Sequence, residues 1–237
     1  MDIYLEETRI LDFSNPTIQQ LIKEKKWGNL DKLERIKSVY NFVRDEILFG
    51  YNSGDDILAS QVIKDGIGQC NTKATLLMAL LRGVGIPCRL HGATIDKPLQ
   101  KGAFSSFWYH FAPKEIVHSW VELSYNDVWF ELEGVILDKK YLHKLQEKFK
   151  AERKNFCGFG AYTEDLMSPI IDWNENDTAI QKLGINQDFG VYKSPDDFYD
   201  THQQNVSLFK KIIFKLFVRK SNNRNVEKVR EHNCNPV

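Results

Sequence analysis

One apolar stretch constrains the fold of this 237-residue chain more than any other feature. From Asn71 to Val84 the side chains are apolar on nearly every face of a helix, which predicts a helix inside the domain rather than on its surface. Gly85 ends this helix, and Pro87 prevents it from resuming. The domain is therefore expected to be built around the 71–84 helix.

Along the chain, helices come first, then strands, then helices again. Apolar residues at helical spacing predict a helix over 31–47 with Asp31 as its cap, and Ser60 is the candidate cap of a short helix that ends at Gly66. The later elements are predicted as strands at 86–95, 117–124 and 128–137, a polar helix at 139–154, a loop-like stretch over 155–205 and a basic helix at 206–232. This order predicts one α+β domain over 1–237, with an antiparallel sheet.

Charge and hydropathy exclude several classes of partner. Lys plus Arg and Asp plus Glu both number 32, so net charge gives no reason to expect nucleic acid. No apolar run reaches the length of a membrane-spanning helix, and the acidic, mixed N-terminus lacks the features of a signal peptide. We therefore expect a cytoplasmic protein.

The basic amphipathic segment 206–232 has two interpretations. Such a helix can contact a membrane surface. The simpler interpretation is that its apolar stripe covers the domain while its lysines meet water. The stripe would consist of Val206, Phe209, Ile213 and Phe217.

The four cysteines are Cys70, Cys88, Cys157 and Cys234. They form no C-x-x-C pair and no zinc-site spacing, so neither a metal nor another cofactor is expected. In a reducing compartment each would by default be an inert thiol, and Cys88 fits that description in its apolar strand.

Cys70 differs from the other cysteines by its position. It follows Gly66 and Gly68 and begins the apolar helix. A helix N-terminus offers unpaired N–H groups and the positive end of the helix dipole, which favour a thiolate and can stabilise an oxyanion. Cys70 is therefore the candidate nucleophile, and a structural cysteine at a helix start is the alternative.

A hairpin provides the candidate base. If residues 126–127 form a two-residue turn, Trp120 lies opposite Glu133, and His118 lies diagonally from Glu133 on the same face. Glu133 could then hold one imidazole nitrogen while the other faces Cys70. This face also predicts a polar, aromatic cleft wall that includes Trp120.

Other residues compete for these roles. Glu131 lies on the same face one pair further from His118, and Asp127 lies in the turn, where Asp usually serves the turn itself. His91 and His110 are spare candidates for the base.

The residues quoted so far resemble the transglutaminase-like superfamily. The resemblance covers residues 60–138, about a third of the chain, and Glu133 stands where the family usually has Asp. Its three motifs are Gly68-Gln69-Cys70 with the helix residues up to Gly85-Ile86-Pro87 and Arg89, the strand His118-Ser119-Trp120-Val121-Glu122, and Trp129-Phe130-Glu131-Leu132-Glu133.

The resemblance implies a papain-like fold and acyl transfer through a thioester on Cys70. A cysteine protease or amidase acting on a peptide or protein amide is favoured. A protein-glutamine transglutaminase and an inactive peptide-binding module are the alternatives. The oxyanion hole would combine the Cys70 N–H with a side chain from Gln69, Tyr51 or Asn52. The aromatic loop 104–111 is expected to border the cleft.

Overall fold

The computed structural model describes residues 2–152, 154–204 and 213–231. Its helices are α1 (Pro16–Glu24), α2 (Lys32–Asp45), α3 (Ala59–Asp65), α4 (Cys70–Gly83), α5 (Ser106–Tyr109), α6 (Lys139–Lys148), α7 (Pro195–Thr201) and α8 (Arg219–Glu231). Its strands are β1 (Leu48–Phe49), β2 (Ile67–Gly68), β3 (Cys88–Asp96), β4 (Glu115–Tyr125), β5 (Val128–Glu131), β6 (Lys154–Gly158), β7 (Ala161–Asp165) and β8 (Ile185–Tyr192).

Helix α4 lies at the centre of the molecule. Every residue from Cys70 to Arg82 is buried. Helices α1, α2 and α3 pack on it, and strands β3 and β4 lie against it as well. The helix begins and ends within a residue of the predicted bounds, and the prediction of an internal helix is confirmed.

The main sheet has four strands in the order β5-β4-β3-β8, and all neighbours are antiparallel. A helix that begins with a cysteine packs on this antiparallel sheet, and other helices lie at both ends of the chain. The predicted α+β class, with the papain-like arrangement of the cysteine helix on the sheet, is confirmed.

The hairpin between β4 and β5 has the predicted register but is shorter than expected. Residues 122–125 pair with 131–128, and Asn126 and Asp127 adopt left-handed backbone angles of 51° and 61° in φ, as a two-residue turn of this kind requires. The predicted strand over 128–137 is wrong beyond Glu131, because a short 3-10 helix follows at Glu133–Val135.

Two other predictions of local structure were wrong. Ser60 does not cap α3; Leu58 precedes the first turn, and the Ser60 hydroxyl donates to Asp12. The stretch 155–205 was predicted as loop but contains β6, β7, β8 and α7. Strand β8 is an edge strand rich in polar residues, so it lacks the apolar alternation that predicts a strand.

Helix α8 packs against the domain through both apolar and polar contacts. Val226 and Val229 are buried, and Arg230 pairs with Asp138 at 2.8 Å. Val206 and Phe209 of the predicted stripe lie outside the described residues. Phe217 is 61% exposed, so its predicted place in the buried stripe is wrong. Within the described ranges, no helix is both long and apolar enough to cross a membrane.

Candidate active site

The N-terminus of α4 meets β4 at an open edge of the sheet. Strand β5 pairs with β4 only over residues 122–125, and residues 117–119 of β4 lie beyond its end. There the Asn71 side chain donates to Val117 O at 3.0 Å and accepts from Ser119 Oγ at 2.9 Å. The amide of Asn71 thus holds the first turn of α4 beside the strand that carries His118.

Burial dominates the environment of the Cys70 thiol. Cys70 is 6% exposed, and burial together with the carboxylates of Asp55 and Glu133 raises the pKa of its thiol. The backbone N–H groups of Asn71 and Ser119 act in the opposite direction. Burial therefore opposes the effect that the helix N-terminus was predicted to have on the Cys70 thiol, because desolvation disfavours the charged thiolate.

His118 and Glu133 face each other in the interior. Nε2 of His118 lies 3.2 Å from Oε1 of Glu133, and the two side chains are 0% and 1% exposed. The distance fits an ion pair, but the geometry does not meet that of a hydrogen bond. Among the described residues, neither ring nitrogen of His118 has a hydrogen-bond partner, and this includes Cys70 Sγ.

The Glu133 carboxylate is held from the opposite side by backbone. The N–H groups of Ile180 and Gln181 both donate to it, the latter at 2.9 and 3.0 Å to its two oxygens. Glu133 N also donates to Thr178 O at 3.2 Å. Residues 178–181, which sequence reasoning assigned to a loop, therefore fix the carboxylate beside His118.

The rival carboxylates lie elsewhere. Glu131 pairs with Lys182 at 2.7 Å and is partly exposed, while Asp127 lies in the hairpin turn. Of the three carboxylates considered on the hairpin, Glu133 is the one that reaches His118.

Trp120 packs against His118 and does not line the cleft. It is 3% exposed, its ring lies 5.5 Å from that of His118, and His91 stacks on it at 4.2 Å with a 12° interplanar angle. His91 in turn binds Glu122 at 2.6 Å and Asp188 at 2.7 Å. The prediction of Trp120 as a cleft-wall residue is wrong, since it belongs to this stack behind the imidazole.

The three side chains predicted for the oxyanion hole are already engaged. Gln69 accepts from Asn52 N and donates to Asp55, while the buried amide of Asn52 bonds Asp65, Ile67 O and Thr72. The Tyr51 hydroxyl donates to Oε1 of Gln100 at 2.6 Å. Asn52 does not line the cleft, which removes it from this role.

Gln100 is a better candidate donor, and the sequence offered no motif that could find it. It lines the cleft beside Tyr51, and its Oε1 already accepts the Tyr51 hydroxyl. Its Nε2 group is therefore the side-chain donor left to face a ligand. The N–H of Cys70, in the first turn of α4, has no partner within the helix and is the second candidate donor.

A cleft of about 630 Å³ opens above Cys70. Its walls come from the 51–56 segment, the 104–117 segment, α7 and the π-helical segment around Phe214–Val218. The predicted border by the aromatic loop is confirmed, since Phe104, Phe107, Trp108 and Phe111 line it. The wall residues Asp55 and Tyr199 were not singled out from the sequence.

A model of a known protein family matches part of this chain. Residues 19–134 match the family model described as the transglutaminase-like superfamily, and this range includes Cys70, His118 and Glu133. Such a match supports a thiol-dependent enzyme family. A comparison with curated protein sequences finds no match.

A protein from Cytophaga hutchinsonii, described as a candidate cysteine protease, has a solved structure similar to this one. The identity is 13% and the TM-score 0.46, over 82% of this chain and 47% of that one. The present chain thus spans about half the length of that protein. The family match over residues 19–134 shows that this part of the chain, just under half of it, resembles the transglutaminase-like superfamily.

Proposed function

We propose that this protein is a thiol-dependent enzyme that cleaves an amide bond of a peptide or protein through a thioester on Cys70. The observation that carries the proposal is the buried pair of His118 and Glu133 next to the strand edge where Cys70 meets β4. In this proposal Cys70 lines the cleft as the nucleophile, and the buried His118 and Glu133 behind it serve as the base and the group that orients the base.

The first half of the reaction forms the acyl-enzyme. Nδ1 of His118 takes the proton of the Cys70 thiol as Sγ attacks the substrate carbonyl carbon. The C–N bond then breaks, and the same proton passes from His118 to the departing amine. The negative oxygen of the tetrahedral intermediate would be bound by the Cys70 N–H and Gln100 Nε2.

The second half returns the free enzyme. Water gives a proton to His118 and attacks the thioester, the C–S bond breaks, and Cys70 regains its proton. Glu133 stabilises the imidazolium form of His118 in both halves, because its carboxylate is fixed against Nε2. With an amine in place of water, the same steps give the transglutaminase reaction.

Two features of the protein without substrate must change before Cys70 can react. Burial raises the pKa of the Cys70 thiol, and His118 is not hydrogen-bonded to it. Substrate binding would have to bring the two together, as catalytic hydrogen bonds often tighten only in the complex. The unbonded His118 is also the observation that favours the second candidate function, an inactive peptide-binding module.

Trapping the acyl-enzyme tests the proposal. The protein is mixed with a p-nitrophenyl ester of a blocked amino acid, quenched in acid and analysed by intact and peptide mass spectrometry. We expect one acyl group on Cys70 and none in Cys70→Ser. Cys157→Ser is the matched control, because Cys157 is a free thiol outside the cleft, and it should behave as wild type.

The outcome also separates the candidate functions. If the acyl-enzyme releases the free carboxylic acid of the blocked amino acid, the protein is a hydrolase. If a primary amine speeds the loss of the acyl group and the amide of the blocked amino acid forms, the protein is a transferase. If Cys70 stays unmodified by esters of several residues while peptides still bind, the protein is a binding module and the proposal is wrong.

A further inference from the structure

Tyr199 of α7 lies in the cleft wall close to the thiol. It is 4% exposed and lines the cleft together with Cys70. The backbone N–H of Ser119 is hydrogen-bonded to the Cys70 thiol, and the hydroxyl of the same serine lies 3.4 Å from the Tyr199 hydroxyl. The phenol and the thiol are therefore neighbours of one residue, Ser119.

The packing of α7 on the sheet fixes this position. Gly92 of β3 is the cross-strand partner of Ser119 in β4, and the Phe198 ring lies so close to Gly92 that a Cβ there would collide with it. Tyr199 follows Phe198 in α7, and its hydroxyl reaches the neighbouring strand at Ser119. The Tyr199 hydroxyl is thus held over β4 by a helix docked on the sheet.

The hydrogen bonds around Ser119 show that Tyr199 is a donor. Asn71 Nδ2 donates to Val117 O at 3.0 Å, so Oδ1 of the same amide accepts the hydrogen of Ser119 Oγ, at 2.9 Å. Because a serine hydroxyl has one hydrogen, the hydrogen between Ser119 and Tyr199 must come from Tyr199.

This bond from Tyr199 is weak. Its length of 3.4 Å exceeds the range of about 2.5 to 3.0 Å that is usual between two hydroxyl groups. Ser119 is also the one hydrogen-bond partner of the Tyr199 hydroxyl among the described residues. A ligand oxygen in the cleft could therefore take over this hydrogen at little cost.

Tyr199 remains protonated while it acts as a donor. Burial raises the pKa of its hydroxyl well above the usual value of a tyrosine. A neutral phenol fixed in a water-poor wall can stabilise a negative oxygen without changing its own protonation state.

We infer that Tyr199 is a further catalytic residue, whose hydroxyl leaves Ser119 and donates to the carbonyl oxygen of the substrate as Cys70 attacks it. The inference rests on the proposed function, since it adds a donor to the same acyl transfer. No covalent bond of Tyr199 forms or breaks. The negative oxygen of the tetrahedral intermediate can accept three hydrogen bonds, so Tyr199 acts together with the Cys70 N–H and Gln100 Nε2.

Tyr199→Phe tests the inference, because it removes the hydroxyl and keeps the ring. Two reactions of Cys70 are compared in wild type and variant. Acylation by the p-nitrophenyl ester of a blocked amino acid should slow by about 100-fold, as the loss of one donor to such an oxygen does. Alkylation by iodoacetamide should stay within about twofold, because attack on its CH₂ group forms no negative oxygen.

Tyr192→Phe is the matched control. Tyr192 of β8 also packs on Phe198, with ring centroids 5.0 Å apart, and its hydroxyl makes an equally long contact of 3.4 Å, to His202 Nδ1. Tyr192 does not line the cleft. Its variant should react like wild type in both assays.

The outcomes separate this inference from the proposed function. Acylation of Cys70 at the wild-type rate in Tyr199→Phe overturns the inference and leaves the proposed function standing. Equal slowing of acylation and alkylation also overturns it, since Tyr199 would then only support the shape of the site. If esters do not acylate Cys70 in the wild-type protein, the proposed function fails and the inference falls with it.

Discussion

His118 and Glu133 face one another in the protein interior, with Nε2 and Oε1 3.2 Å apart and both side chains withdrawn from water. The imidazole is flanked by Trp120, and the carboxylate is anchored by two backbone N–H groups. A histidine so held can gain a proton at Nδ1 while its other nitrogen is stabilised by a fixed negative charge. The proposed function assigns to Glu133 the place that Asp usually has in the superfamily this chain resembles.

Glu133→Gln tests this relationship. The amide cannot stabilise the imidazolium, so we expect acylation of Cys70 to slow by about 100-fold or more. The rate is measured as the burst of p-nitrophenol from an ester substrate.

Glu131→Gln is the matched control for Glu133→Gln. Glu131 is two residues away on the same hairpin but pairs with Lys182, so its replacement should change acylation by less than about twofold. Equal losses in the two variants would show that the carboxylate beside His118 has no special role.

The pH dependence of Cys70 alkylation follows from its buried thiol. Because burial raises the pKa of Cys70, the reaction with iodoacetamide should be slow at neutral pH and should accelerate as pH rises. His118→Ala should slow it further near neutral pH but not at high pH, where hydroxide removes the proton. A rate that is already maximal at pH 6 would contradict the neutral thiol and indicate a preformed ion pair.

Lys73 makes stability depend on pH in a defined direction. It is fully buried in α4, donates to Arg44 O and Ile136 O, and burial lowers its pKa from 10.5 to about 7. Between these two values the unfolded chain holds the extra proton, so the free energy of unfolding gains up to about 1.4 kcal/mol per pH unit as pH rises.

Lys73→Met removes this titration. The difference in the free energy of unfolding between wild type and Lys73→Met should move in favour of wild type from pH 7 to pH 10, measured by urea denaturation. Lys64→Met, at an exposed position of α3, is the control and should give a constant difference. A constant difference for Lys73→Met would refute the buried neutral lysine.

His91 supports His118 through Trp120. Although burial disfavours its charged form, hydrogen bonds to Glu122 and Asp188 raise the pKa of His91. The charged His91 therefore stabilises the folded protein fully below about pH 6.5, the usual pKa of a histidine. This stabilisation is lost as the pH rises through the higher pKa that His91 has in the folded state. His91→Phe should destabilise the protein more at pH 6 than at pH 9.

The two possible roles of His91 give different results for catalysis. His91→Phe keeps a ring on Trp120 and should retain Cys70 acylation at pH 8, whereas His91→Ala should slow it by loosening the stack. Equal acylation rates in the two variants would limit His91 to a structural role.

The local patterns of the sequence determined the elements that hold the site. The apolar run after Cys70 specifies α4, and the turn at 126–127 sets the register of β4 and β5 as predicted. These features arise from residues close in the chain, where side-chain periodicity reports the structure directly. The choice of Cys70, His118 and Glu133 as candidates followed from them.

The tertiary structure decided where these three residues lie relative to one another. The end of β5 at Glu131 opens the edge of β4 at which the first turn of α4 docks. Residues 178–181 supply the backbone that fixes Glu133, and they lie more than forty positions further along the chain. The same packing buries Cys70, and this burial raises the pKa of its thiol, against the effect expected from the helix N-terminus alone. Long-range contacts and desolvation depend on which segments come together in space, and no pattern of neighbouring residues contains them.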